Sequence, residues 1–215
     1  METIALNGRA YRRPSRPTVV ICADGCDPSY LDAGIAAGVL PTIAGFREHG
    51  FFRFADAAMP TFTNPNNVSI VTGVPPSVHG ISGNFALDRD SGAEVMMTDP
   101  AMLRTPTLLA LMAQAGVATA AITAKDKLRR MLGKGVAIGR GGICFSSEQA
   151  DRCTQAEHGI ENVAQLVGAS APGIYDPEAS IYCLQAGAVL LEKNLADFLY
   201  LSTTDFVQHK YPPGS

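Results

Sequence analysis

The run Thr18 to Ala23 (TVVICA) does most to narrow the folds open to this chain. Its β-branched and apolar residues form an unbroken block that stops abruptly at Asp24 and Gly25. That is the pattern of a strand buried on both faces that hands over to a loop at its carboxyl end. The same grammar recurs downstream. Thr105 reads as the cap of a helix with Pro106 at its first position, Leu108, Leu109, Leu111 and Met112 on its buried face and Gly116 at its end; Val117 to Thr123 reads as the next strand. A helix from about Glu178 to Lys193, with Ile181, Leu184, Ala188 and Leu191 on one stripe, leads into a strand at Asp197 to Leu201. Units in this order imply an α/β fold with a largely parallel central sheet and helices on both faces.

Between these units lie a helix from Pro65 to Thr72 and, within Asn84 to Val95, a hairpin turning at Asp90 to Gly92. The first 17 residues, with Arg12, Arg13, Pro14, Arg16 and Pro17, show no period and read as an arm, so the ordered domain is expected over residues 18–215. With 47% apolar and 17% charged residues, 215 residues can bury one sizeable core. Lysine plus arginine (17) nearly balances aspartate plus glutamate (20), which leaves a net charge of -3 and no field to gather nucleic acid or anionic lipid. No apolar run reaches the roughly 18 residues of a membrane span, and the polar start lacks the core of a signal peptide, so a cytoplasmic protein is expected. The five cysteines, Cys22, Cys26, Cys144, Cys153 and Cys183, are odd in number and lack CxxC spacing; they read as small buried residues.

Three strand ends carry polar clusters: Asp24 with Asp27, the segment Thr61 to Asn67 (TFTNPNN), and Thr203, Thr204, Asp205 and His209. Each has a plain reading. Asp24 beside Gly25 is also an ordinary turn, and Asp205 with His209 four residues on is a common spacing. Pro65 at a first helical position places Thr63 at the amino end of that helix, where free N–H groups and the positive dipole end favour a phosphate. Thr63 is equally suited to capping that helix. His49, His79 and His158 read as surface or packing residues.

Taken together, the segments resemble the alkaline phosphatase superfamily and, within it, the nucleotide pyrophosphatase/phosphodiesterase-like branch. The resemblance rests on Asp24 ending the first strand, Pro60-Thr61-Phe62-Thr63-Asn64-Pro65-Asn66, Thr72-Gly73, His79-Gly80, Asn84, and Asp205 with His209, in that order. Asp24-Gly25-Cys26-Asp27-Pro28 and Thr123-Ala124-Lys125-Asp126-Lys127 add a resemblance to the phosphonoacetate hydrolase family. By composition alone, Lys125 and Lys127 are a solvated helix start.

The resemblance implies an alkaline-phosphatase-like α/β catalytic domain that uses two zinc ions, about 4 Å apart, to cleave the carbon–phosphorus bond of phosphonoacetate. It implies Asp24 and Thr63 at one metal, Asp205 and His209 at the other, and Thr63 as the nucleophile that forms a phosphothreonine intermediate on the way to acetate and phosphate. Asn84 and the backbone at Asn64 are implied to receive the phosphoryl oxygens, and Lys125 and Lys127 the substrate carboxylate. The implied partner is a small phosphonate, with no nucleic acid and no membrane; a homodimer stays open. Catalytic zinc takes three protein ligands, and this sequence supplies two for each ion. An amino-terminal part of a longer enzyme, weakly active or inactive by itself, is therefore expected. A phosphodiesterase or nucleotide pyrophosphatase of the same superfamily, or a non-catalytic anion-binding protein, are the alternatives. No Cys-x-Pro-x-Arg segment exists to make a sulfatase.

Overall fold

The structure, a computed structural model, describes residues 2–215. It opens with two short strands, β1 (Thr3–Leu6) and β2 (Arg9–Arg12), followed by β3 (Thr18–Cys22), helices α1 (Pro28–Ala36) and α2 (Pro41–His49), then α3 (Thr63–Thr72) and α4 (Pro76–His79). A small hairpin of β4 (Phe85–Leu87) and β5 (Glu94–Met96) precedes α5 (Leu108–Gln114), β6 (Thr119–Thr123), α6 (Asp126–Leu132) and β7 (Gly142–Ser146). Three helices, α7 (Gln155–His158), α8 (Val163–Val167) and α9 (Glu178–Glu192), lead to β8 (Phe198–Ser202).

The central sheet runs β3-β8-β6-β7 and every neighbouring pair is parallel. Strand alternation divides its side chains between two cores. Ala120, Ile122, Ile143, Phe145, Leu199 and Leu201 point to the layer of α8 and α9, where they meet Val163, Tyr182, Cys183, Ala186 and Leu190. Ala121, Cys144, Phe198 and Tyr200 point to the opposite layer and meet Leu109, Met112, Leu128, Leu132 and Val71. Helices thus cover both faces of a parallel sheet, as the alternating strand and helix pattern implies.

Four expectations give way. The run at Thr18 is an edge strand: its register places Ile21 beside Leu201 on the α9 side, but α9 packs over β8 and β6, and Ile21 is 56% exposed. Residues 3–12 are not a featureless arm. Asn7 and Gly8 take positive φ (48° and 79°), the geometry of a two-residue hairpin turn, and Leu6 is buried. The cap of α5 is Thr107, whose Oγ1 accepts the Ala110 N–H at 3.1 Å; Pro106 stands one residue before the cap, and Thr105 Oγ1 is buried without a partner.

The fourth concerns α9, whose sheet-facing side is Ala179, Tyr182, Cys183, Ala186, Gly187 and Leu190 while Ile181 and Leu184 are exposed. Close approach to the sheet selects small residues here: a Cβ on Gly187 would lie 2.6 Å from Leu201 Cδ1. Two of the apolar residues on the expected stripe, Ile181 and Leu184, therefore mark the wrong side. The hairpin at Asp90 to Gly92 forms as read; the helix read from Pro65 to Thr72 begins earlier, at Thr63, and the strand read from Val117 to Thr123 begins at Thr119. All five cysteines are free, three of them buried. Among the described residues no single helix is long and apolar enough to cross a membrane.

The α9 assignment yields a direct test by thermal or urea unfolding. Leu190→Ala opens a cavity in the buried cluster that Leu190 shares with Leu199 and Ala120 and is expected to cost about 2–5 kcal/mol, whereas Leu184→Ala is expected to stay below about 1 kcal/mol.

Candidate functional site

The carboxyl ends of β3, β8 and β6 meet at one edge, the place where open α/β sheets build their sites. Asp24 follows β3, Thr203 to His209 follow β8, and Lys125 and Lys127 follow β6. Helix α3 brings its amino end to the same edge. Thr63 is its first residue, Phe62 is the cap position, and no side chain caps the turn, so Thr63 is not the N-cap. Its Oγ1 instead donates to Asp24 Oδ2 at 2.9 Å. The N–H groups of a first helical turn have no intrahelical acceptor, so this end offers donors and a positive dipole to an anion.

A cleft of about 200 Å³ opens at this point, walled by Asp24, Thr63, Asn64, Asn84, Lys125 and Lys127. Six of the residues singled out in the sequence are thereby gathered from two strand ends, a helix start and the β4 hairpin. Asp205 and His209 are not part of the cleft wall. They join it through Lys125, whose Nζ lies 3.3 Å from Asp205 Oδ1, while His209 Nε2 lies 3.0 Å from Asp205 Oδ2 with its ring largely exposed. Lys125 is thus already paired. Asn64 is buried and its amide donates to Met97 O at 3.1 Å, tying α3 to the segment after β5.

Charge is placed here at a cost. Burial raises the Asp24 carboxyl above the usual aspartate range, and the Asp205 carboxylate adds to the rise; the Thr63 bond and the Lys125 ammonium work against them. Asp205 is pulled the other way: its partial burial is outweighed by Lys125 and His209, which hold it below the usual range. Two carboxylates, a hydroxyl and an imidazole are oxygen and nitrogen donors of the kind zinc accepts. Among the described residues, no three His, Cys, Asp or Glu side chains converge as a metal-binding group. The donors fit two partial shells, Asp24 with Thr63 and Asp205 with His209.

The remaining histidines have structural work. His79 is fully buried, bonded to Ser69 Oγ and the Ile81 N–H, and burial lowers its pKa. His158 is buried at the end of α7, where its Nδ1 accepts the Thr154 N–H, and His49 is exposed. Reading by motif missed the two other asparagines of the TFTNPNN segment. Asn66 bonds both the N–H and the C=O of Ala58, fixing the approach to Thr63. Asn67 accepts from Tyr200 and Ser202 on β8. The available signal was an asparagine inside a helix, a place the residue disfavours.

The chain superposes over its whole length on a phosphonoacetate hydrolase from Sinorhizobium meliloti 1021 in complex with phosphonoformate, with 47% sequence identity and a TM-score of 0.96. The same values hold for that enzyme in complex with phosphonoacetate. Each match covers 100% of this chain and 52% of the other, so the chain spans about half the length of these solved relatives. Residues 18–215 also match the family of type I phosphodiesterases and nucleotide pyrophosphatases. With that match taking in nearly all of its length, the chain belongs to the type I phosphodiesterase/nucleotide pyrophosphatase family.

Proposed function

We propose that this protein is a metal-dependent hydrolase that cleaves the carbon–phosphorus bond of phosphonoacetate. The observation that carries the reading is that two lysines, Lys125 and Lys127, line the same small cleft as Thr63. A phosphate ester needs only the hydroxyl and the anion-binding helix end. A phosphonate leaving as carbon needs something more. When Thr63 Oγ bonds to phosphorus, the carbon–phosphorus electron pair passes into the acetate fragment and is stabilised on its carboxylate as an enediolate. Ammonium groups beside that carboxylate stabilise charge that grows in the transition state, which raises rate and not affinity alone. A proton from water then completes acetate, and a second water releases phosphate from the phosphothreonine.

The chain's own residues prepare the attack. The proton on Thr63 Oγ1 points at Asp24 Oδ2, whose raised pKa makes it a better acceptor than an ordinary aspartate. Asn84 and the first N–H groups of α3 line the side of the cleft where phosphoryl oxygens gain charge. Zinc bound by Asp24 and Thr63, and by Asp205 and His209, would supply Lewis-acid stabilisation of the deprotonated hydroxyl and of the phosphoryl charge. The Lys125 bond to Asp205 keeps that ammonium at the cleft before substrate arrives. Free cysteines throughout suit a reducing compartment, consistent with a cytoplasmic enzyme.

Two donors per ion hold zinc weakly. The 215 residues alone are expected to lose zinc on dialysis and to release little phosphate from phosphonoacetate. Stoichiometric retained zinc with rapid turnover would show that a further ligand is present in this chain.

When the length of the solved relatives is restored by fusion to the second half of the Sinorhizobium enzyme, Thr63→Ala is expected to abolish turnover. It should cost only about 1–3 kcal/mol of stability, for the donor lost to Asp24. Under the same conditions, Lys125→Ala or Lys127→Ala is expected to lower kcat/KM for phosphonoacetate by roughly 2 to 4 kcal/mol, about thirty- to a thousand-fold. Hydrolysis of an aryl phosphonate ester, whose leaving group carries no carboxylate, should change far less. Equal losses on both substrates would instead support a phosphodiesterase.

A further inference from the structure

The TFTNPNN segment contains an asparagine that does not line the cleft and yet bonds two residues that do. Asn67 lies one turn into α3 and is 1% exposed. Its Oδ1 accepts from Tyr200 Oη at 2.8 Å and from Ser202 Oγ at 3.0 Å, both on β8 and both 2% exposed. Its Nδ2 donates to the Thr63 carbonyl at 3.1 Å. One amide therefore spans from the central strand of the sheet to the residue that carries the nucleophilic hydroxyl.

Each part of this arrangement is unfavourable unless it is used. Asparagine is a poor helix residue, and a buried amide with unmet bonds costs about 1–3 kcal/mol. Leucine would fill such a position and pack with Val68 and Val71 on the same buried helix. A phenol and a serine hydroxyl on the inward face of β8 would likewise be buried polar groups without Asn67 to accept from them. What the network secures is a fixed distance between α3 and β8 at the first turn, where simple apolar packing would let the helix slide.

We propose that Asn67 is a positioning residue that holds Thr63 in the single side-chain rotamer directed at Asp24, an inference that rests on the reading of Thr63 as the nucleophile. Asn67 acts through the Thr63 carbonyl and the register of α3 on β8, and it does not touch substrate. A hydroxyl free to rotate about χ1 spends part of its time pointing away from the cleft, and small misplacements of a nucleophile cost up to about a hundredfold in rate.

The test reads the rotamer directly. In isotope-labelled protein, the three-bond N–Cγ2 and C′–Cγ2 couplings of Thr63 are expected to report one staggered well in the wild type. They should become averaged in Asn67→Asp, which keeps acceptors for Tyr200 and Ser202 but loses the donor to Thr63. Tyr200→Phe, which removes one hydroxyl and no packing volume, should move them part of the way and serves if the aspartate variant fails to fold. Leu190→Ala, in the opposite core layer, lowers the melting temperature and should leave them unchanged. Wild-type couplings in both network variants, or equal averaging in Leu190→Ala, would overturn the proposal.

In the fused enzyme described above, Asn67→Asp should lower kcat about ten- to a hundredfold with KM nearly constant. Because the couplings need no turnover, they stand apart from the hydrolase reading. That reading fails if Thr63→Ala stays active, whatever the couplings show, and the positioning role fails if the rotamer is indifferent to Asn67.

Discussion

The bond from Thr63 Oγ1 to Asp24 Oδ2 joins two elements 39 residues apart in sequence, the start of α3 and the end of β3. It also defines the geometry that the rest of the molecule has to maintain. A hydrogen bond to a charged acceptor is worth about 1.5–3 kcal/mol, and burial of the Asp24 carboxyl, which raises its pKa, works against it. The pair does not hold itself in place. It persists because the surrounding scaffold is rigid: β6, β7 and β8 are buried along all five of their residues, and α3 is tied at its first turn to three different neighbours.

Those ties come from one short segment. Asn64 reaches Met97 after β5, Asn66 reaches Ala58 in the preceding loop, and Asn67 reaches Tyr200 and Ser202 on β8. Three amides in four residues therefore hold the helix start from three directions. Apolar contacts alone could not do this, because dispersion and burial are non-directional and tolerate sliding, whereas hydrogen bonds fix both distance and angle. Asparagine content that looks costly for a helix is the means by which the cleft keeps its shape.

Much of the lining of the candidate cleft is legible in the sequence, and the reason is local. Asp24, Thr63, Asn84, Lys125 and Lys127 sit at strand ends, a helix start and a hairpin start, where a change of periodicity announces the element boundary. What stayed hidden depended on tertiary partners. Whether the strand at Thr18 was central or at an edge turns on which strand lies beside it, and that pairing, with β8, spans 180 residues. The buried side of α9 was misread because four of its six residues, Ala179, Cys183, Ala186 and Gly187, are small and carry little apolar signal, while Ile181 and Leu184 stand outside. The hairpin of β1 and β2 is signalled by Asn7-Gly8, but the arginines and prolines around it masked its period. Asn67 has no motif; its meaning appears only when Tyr200 stands opposite.

A pattern in the sheet explains how so many groups arrive at one place. The strands are apolar for most of their length and end in hydroxyls: Thr123 on β6, Ser146 on β7 and Ser202 on β8, all buried. Each hydroxyl bonds to a group that leads directly to the cleft or to the loop beside it. Thr123 Oγ1 donates to the Lys125 carbonyl at 2.9 Å, Ser146 Oγ to Asp126 Oδ1 at 3.0 Å, and Ser202 Oγ to Asn67 Oδ1. The face of β8 toward α3 makes the transition visible residue by residue, from Phe198 through Tyr200 to Ser202. At the carboxyl end of a parallel strand the backbone must leave the ladder, and a small hydroxyl there orients the departing chain while occupying almost no volume. The apolar body of the sheet supplies rigidity, and its final residues turn that rigidity into the placement of Lys125, Asp126 and, through Asn67, Thr63.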